Sequence, residues 1–268
     1  MHLKRWLTGI IALPILIFLI GSQHRWPLYI ILYVASVAGL VEFYRMSDPK
    51  LPAFVRWSSF LLTLSLFAAV YVRQVLMLPF IIALWAFIPM AFYMLTRLKP
   101  SQQWTSDIGK TVLGLIYVTI PLSMLLHIDR FYPKGNLWIL FLLVVIFASD
   151  TGAFYFGKFF GRHKLHERIS PGKTWEGAIG GLLSSIFVSV AFFKAIPLNQ
   201  VGLKMLALAA SLCVAGQIGD LAESMLKRNH GVKDSGRILP GHGGILDRID
   251  GLLFSTPLLY IYLSFSIS

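Results

Sequence analysis

Long apolar runs separated by short polar segments fill the chain from end to end. Runs such as Leu137 to Ala148 and Ile179 to Phe193 carry no polar stripe at helical spacing. A helix apolar on every side is the pattern lipid requires. Marking the runs predicts nine spans, at about 6–21, 27–46, 53–72, 75–95, 108–127, 137–157, 175–196, 203–226 and 249–267. Only Arg73-Gln74 divides the third from the fourth. The opening MHLKRW with Leu7 to Ile20 has the outline of a signal peptide, but Gly21-Ser22-Gln23 is not a small-x-small cleavage site. With further spans behind it, the segment reads as a retained first helix.

Composition agrees. The chain is 56% hydrophobic and 13% charged, against about 25% charged in soluble domains, and its mean hydropathy is +0.71. The expected fold is an all-α polytopic integral membrane protein. The single Cys213 lies in an apolar run, which excludes an intramolecular disulfide or a thiolate metal cluster and suits a small buried hydrophobe.

A net charge of +12 would suit nucleic acid, but the placement of the charges points elsewhere. With a cytoplasmic N-terminus, eighteen of the 24 Lys and Arg fall in cytoplasmic segments, leaving Arg25, Arg73, Arg130, Lys134, Lys194 and Lys204 on the other side. That asymmetry is the positive-inside pattern, and no nucleic-acid partner is expected. Trp26, Trp57, Trp104, Trp138 and Trp175 fall near span ends, where indole favours the interface, whereas Trp85 sits mid-span as packing.

The acids are unevenly spread. Glu42, Asp48 and Asp107 are the only three before residue 128. Residues 1–130 therefore read as scaffold helices and 131–268 as the region that carries chemistry. Glu42 reads as an ion-pair partner for Arg45 one turn on. Three polar clusters stand out: 149–177, around SDTGAFYFGK and SPGKTWEG; GDLAESMLKR, 219–228; and KDSGRILPGHGGILDRID, 233–250. All three face the cytoplasm in this topology and can converge.

Asp220, Glu223, Ser224 and Lys227 share one helical face, and Asp247 and Asp250 share another at the start of the last span. Ionisable groups in spans are kept for function or for pairing. On spacing alone two readings stay open: three carboxylates around a hard cation, Mg²⁺ first when phosphates are near, or an Asp–Arg/Lys ion-pair network. GHGG, 241–244, precedes a helix start, where glycine amides and the helix dipole suit an anion, although a plain turn explains it equally. SPGKTWEG is not a Walker A loop; Ser170-Pro171 reads as a turn and Lys173-Thr174 as a helix start. His163 and His166 read as surface residues, and Gly177-x-x-x-Gly181 permits close helix contact within the bundle or between subunits. Nothing here is a nucleophile elbow or zinc motif, which leaves a polyphosphate and metal site favouring phosphoryl or nucleotidyl transfer.

The segment 224–250, SMLKRNHGVKDSGRILPGHGGILDRID, resembles the phosphatidate cytidylyltransferases, the CDP-diacylglycerol synthases. It matches S-x-x-K-R-x(4)-K-D-x-G-x(3)-P-G-H-G-G-x(2)-D-R-x-D at all fourteen specified positions. The 150–177 block is similar to a second block of that family, so the likeness covers roughly 140–260. The resemblance implies transfer of CMP from CTP to phosphatidate, giving CDP-diacylglycerol and pyrophosphate in phospholipid biosynthesis. Carried onto this chain, it makes Asp220, Asp247 and Asp250 ligands of Mg²⁺, with Lys227, Arg228 and Arg248 neutralising phosphates and Asp250 serving catalysis as well. The amides of His242, Gly243 and Gly244 cradle pyrophosphate, while Ser224, Lys233 and Asp234 shape or orient the site. Asp150, Lys173, Thr174 and Glu176 follow as binders of phosphatidate or cytidine. A second, monovalent cation is admitted by family analogy; a homodimer is admitted by the Gly177-x-x-x-Gly181 pair, and the setting is an inner or cytoplasmic membrane with the site facing the cytoplasm. Rival readings are a CTP-dependent lipid-alcohol kinase, against which the complete motif speaks, and a transporter, which would bury its charges near mid-bilayer.

Overall fold

The computed structural model describes residues 14, 17–96, 102–196, 198, 202–236, 238 and 243–266. Within them, eight helical segments are long and apolar enough to cross a membrane. They are α1 (Trp26–Ser47), α2 (Ala53–Tyr71), α3 (Leu78–Thr96, led in by a 3₁₀ turn at Val75–Met77), the composite Gln103–Phe131, α6 (Gly135–Phe160), α7 (Trp175–Ala195), α8 (Leu203–Asn229) and α9 (Leu246–Ser266). The expected span at 6–21 lies largely outside the described residues; its end, 17–21, is helical.

Arg73-Gln74 does separate two spans. Arg73 takes φ 62°, the left-handed conformation that stops a helix, and its guanidinium donates to the Arg130 carbonyl at 2.8 Å. The span expected at 108–127 is longer at both ends. It is built from α4 (Gln102–Gly114), a π turn at Leu115–Thr119 and α5 (Ile120–Phe131). Its polar first turns stay helical through an Asp107–Lys110 ion pair at 3.5 Å and a bond from the Thr111 hydroxyl to the Asp107 carbonyl at 2.9 Å.

A two-stranded hairpin departs from the all-helical expectation. β1 (Lys164–His166) and β2 (Ser170–Thr174) pair antiparallel, Lys164 opposite Thr174 and His166 opposite Ser170. Ser170 and Pro171 are thus in a strand, and the turn falls just before them. Pro171 is tolerated because a two-stranded hairpin is all edge, and its carbonyl accepts from Lys164 Nζ at 2.7 Å.

Trp85 is fully buried in the core with Leu40, Phe43, Leu115, Leu122, Phe141 and Leu142. Trp26, Trp57 and Trp175 lie exposed on the bundle surface. Trp138 does not: it packs against Phe141, Phe193 and Tyr262 and is 3% exposed, because aromatic rings of α7 and α9 close over it.

Glycines set the helix spacing that matters for the site. A methyl on Gly181 of α7 would come 2.8 Å from the Ser149 carbonyl of α6, and one on Gly177 2.8 Å from that of Ala153. The small-residue pair therefore serves packing inside the bundle. Between α8 and α9, a methyl on Gly219 would meet the Asp250 carbonyl at 2.6 Å.

Candidate functional site

Close approach of α8 to α9 and of α6 to α7 draws Asp150, Asp220 and Asp250 toward one end of the bundle. Thr174 caps α7, its hydroxyl accepting the Gly177 amide at 3.1 Å. The capped hairpin aims Lys173 across at α8, where its ammonium pairs with Asp220 at 2.5 Å. Asp150, Lys173 and Asp220 line a cavity of about 280 Å³ with Phe154, Leu165 and Gln217. Asp150, Asp220 and Asp250 act on one another as like charges, and Arg248 acts on Asp150 with opposite sign. Asp150 thus belongs with the carboxylates singled out from sequence, brought there by the α6–α7 packing rather than by any spacing.

A second charged group is enclosed by protein. Lys227 lies between Glu223 at 2.5 Å and Asp247 at 2.6 Å, with Glu223 fully buried. Asp247 uses its other oxygen on the chain that follows α8. That oxygen accepts from the Ser235 amide at 3.0 Å and the Gly244 amide at 2.7 Å, with the Ser235 hydroxyl 3.0 Å away. The i, i+3 spacing of Asp247 and Asp250 holds, but their partners differ: Asp247 bonds to the loop, whereas Asp250 accepts the Gly251 amide at 2.8 Å and feels the charges of Asp220 and Asp150. Asp247 was expected to bind metal with Asp220; here its oxygens are committed to Lys227, Ser235 and Gly244. Lys227, expected to meet phosphates, is 12% exposed and held by two carboxylates.

Glu42 is the residue that sequence reasoning misread. It is 1% exposed, and its carboxylate bonds to the start of the last helix. Its Oε1 accepts the Ile245 amide at 3.0 Å, and its Oε2 accepts the Leu246 amide at 2.9 Å and lies 3.0 Å from the Ser235 hydroxyl. The orphan amides opening α9 are therefore satisfied by a carboxylate from α1. Two of the glycines are explained by the same side chain. A methyl on Gly236 or Gly244 would collide with the Glu42 carboxylate, and Gly243 takes φ 82°, which a side chain would resist. The helix start and the Gly244 amide, expected to face an anionic ligand, face internal carboxylates. The clue in the sequence was a lone acid in an apolar run, which is costly unless paired.

The remaining candidates are more open. Arg228 is exposed and reaches the Ile169 carbonyl of the hairpin turn at 3.4 Å. Lys233 and Asp234 are exposed and, with Arg45, Ser235 and Gly236, line a cavity of about 580 Å³. Arg248 is exposed on the first turn of α9, and Ser224 is half-buried on α8. His242 lies outside the described residues. Glu176 accepts the Arg162 and His163 amides and meets His163 Nδ1 at 2.6 Å, fastening the hairpin to α7. His163 is exposed, as its loop setting suggested. Among the described residues, no three His, Cys, Asp or Glu side chains stand close enough to bind one ion as they are placed.

An apolar helix bundle that collects acids and bases at one end is an integral membrane protein with a charged site where the spans emerge. The chain matches the cytidylyltransferase family over residues 3–266 and belongs to it. It is 35% identical to the phosphatidate cytidylyltransferase of Bacillus subtilis (strain 168), over 97% of this chain and 97% of that protein. To the protein of the same name from Staphylococcus haemolyticus (strain JCSC1435) it is 38% identical, over 97% and 98%. The Staphylococcus aureus (strain COL) protein, also so named, is 42% identical over 71% of this chain and 70% of its own.

Proposed function

We propose that this protein is a phosphatidate cytidylyltransferase, transferring CMP from CTP to phosphatidate at the cytoplasmic face of the membrane. The observation that carries the reading is the acidic cavity facing Lys173, at the end of the bundle toward which the basic residues are biased, in a chain of this family. The charge asymmetry supports placing that end in the cytoplasm.

The chemistry asks little of a general base. A phosphomonoester has a second pKa of about 6, so phosphatidate is already a nucleophile at neutral pH. A phosphatidate oxygen attacks the α-phosphorus of CTP; the new O–P bond forms as the bond to the β-phosphate oxygen breaks, and pyrophosphate leaves. The obstacle is the meeting of two polyanions. Lys173 within the cavity and the exposed Arg228, Lys233 and Arg248 supply positive charge around the approach. Phe154 and Leu165 form an apolar edge of the same cavity, suited to a lipid whose head enters and whose tails stay outside.

Asp150, Asp220 and Asp250 are hard carboxylates from three helices, a donor type that suits a divalent cation, although as placed they do not stand close enough to share one ion. They would hold Mg²⁺, which would offset polyphosphate charge. Asp247 acts one layer back, orienting Lys227 and the loop.

Purified protein in detergent, given phosphatidate and α-³²P-labelled CTP, should place label in the lipid phase and release unlabelled pyrophosphate. Label that enters lipid only from γ-labelled CTP and a polyprenol would assign a kinase instead.

A further inference from the structure

We infer that Glu42, on the first described span, is a positioning residue for cytidylyl transfer: its carboxylate anchors the start of α9, which carries Asp247, and the loop before it. This rests on the transferase reading above. Among the described residues, the hydrogen-bond partners of Glu42 are not its sequence neighbours. Its bonds run to Ser235, Ile245 and Leu246, 193 to 204 residues away.

Three features make the contact more than packing. First, the carboxylate takes the Ile245 and Leu246 amides where the α9 dipole concentrates positive charge, so the bonds are charge-assisted. Second, the Ser235 hydroxyl lies between the two acids, 3.0 Å from Glu42 and 3.0 Å from Asp247, and donates to one at a time. Any shift of Glu42 is felt at Asp247 and, through it, at Lys227. Third, Gly236 and Gly244 leave room for this carboxylate and for nothing larger. The glycines that read as a cradle for a substrate anion cradle a side chain of the protein. Holding that loop also fixes the wall formed by Lys233, Asp234 and Gly236, opposite Arg45 on the same helix as Glu42.

The test uses the full-length protein in detergent with Glu42→Gln, Ser235→Ala, their double variant and Gly236→Ala. Glu42→Gln keeps one carbonyl acceptor but turns an amide against an N–H donor. Per folded molecule, kcat should fall about tenfold to a hundredfold with the KM for CTP changed less than about threefold, as for an interaction felt mainly in the transition state. The double variant should lose less than the two single variants summed, because Glu42 and Ser235 share a hydrogen bond. Gly236→Ala, which leaves Glu42 and its donors in place but crowds them, should move kcat the same way.

Hydrogen exchange read by mass spectrometry supplies a measure independent of turnover. Peptides over 232–250 should exchange faster in Glu42→Gln, with the rest of the protein unchanged. Wild-type protection in that segment, normal kcat per folded molecule, or full additivity with Ser235→Ala would each overturn the inference. A wild-type protein that makes no CDP-lipid would sink the transferase reading, and the exchange data would still judge the anchor.

Discussion

Replacing Lys227 with methionine keeps the length of the side chain and removes the one ammonium shared by Glu223 and Asp247. Asp247 would retain the Ser235 and Gly244 amides. Glu223 would not fare so well: it is fully buried, its Oε2 pairs with Lys227 at 2.5 Å, and its Oε1 has no hydrogen-bond partner. Removing one member of a buried pair typically costs about 3–5 kcal/mol, because the survivor's charge is left unmatched. Against a total stability of about 5–15 kcal/mol, that is a large fraction. Lys227→Met should therefore lower the unfolding free energy by about 3 kcal/mol or more. Adding Glu223→Gln to it should recover about 2 kcal/mol, since the unmatched charge is then gone. Denaturant titrations in detergent micelles, followed by tryptophan fluorescence, would measure both. A single variant within about 1 kcal/mol of wild type, or a double variant no more stable than the single, would refute the assignment of Lys227 as the counter-charge of a buried acid.

Three further outcomes are expected. Gly244→Ala places a methyl against the Ser235 hydroxyl and the Glu42 carboxylate; incorporation of label into lipid should fall at least about tenfold, as for other losses of a charged hydrogen bond, and wild-type rates would contradict the packing. Chelation of divalent cations should stop lipid labelling, and Asp220→Asn should raise the Mg²⁺ concentration for half-maximal rate by about tenfold or more; an unchanged Mg²⁺ titration would remove Asp220 from the ligand set. Gly181→Leu forces α7 away from the Ser149 carbonyl that a methyl would already reach at 2.8 Å, and overpacking of this kind costs about 1–3 kcal/mol, read from the same titrations.

Much of the architecture was legible along the chain because lipid judges each segment alone. An apolar run of sufficient length must be helical in hydrocarbon, since no water is present to satisfy its backbone. The eight described spans follow those runs, and even the break at Arg73-Gln74 was visible. Where a helix continues past the hydrocarbon, as at Gln103 to Lys110, hydropathy lost sight of it. The hairpin at 164–174 was missed because strands of three and five residues carry too little alternation to register. The motif at 224–250 marked the chemistry, and family membership agrees with it.

What only the tertiary structure decided is who faces whom. Spacing put Asp247 and Asp250 on one helical face, yet the loop claims the first, while the second feels the charges of Asp220 and Asp150. Asp150 joined that cavity, and Glu42 reached the start of α9 from the far end of the chain, through glycine-spaced helix contacts invisible to any local pattern. Burial in lipid is a property of a segment and can be read residue by residue. The cost of a buried charge depends on its partner, and partners are chosen by packing.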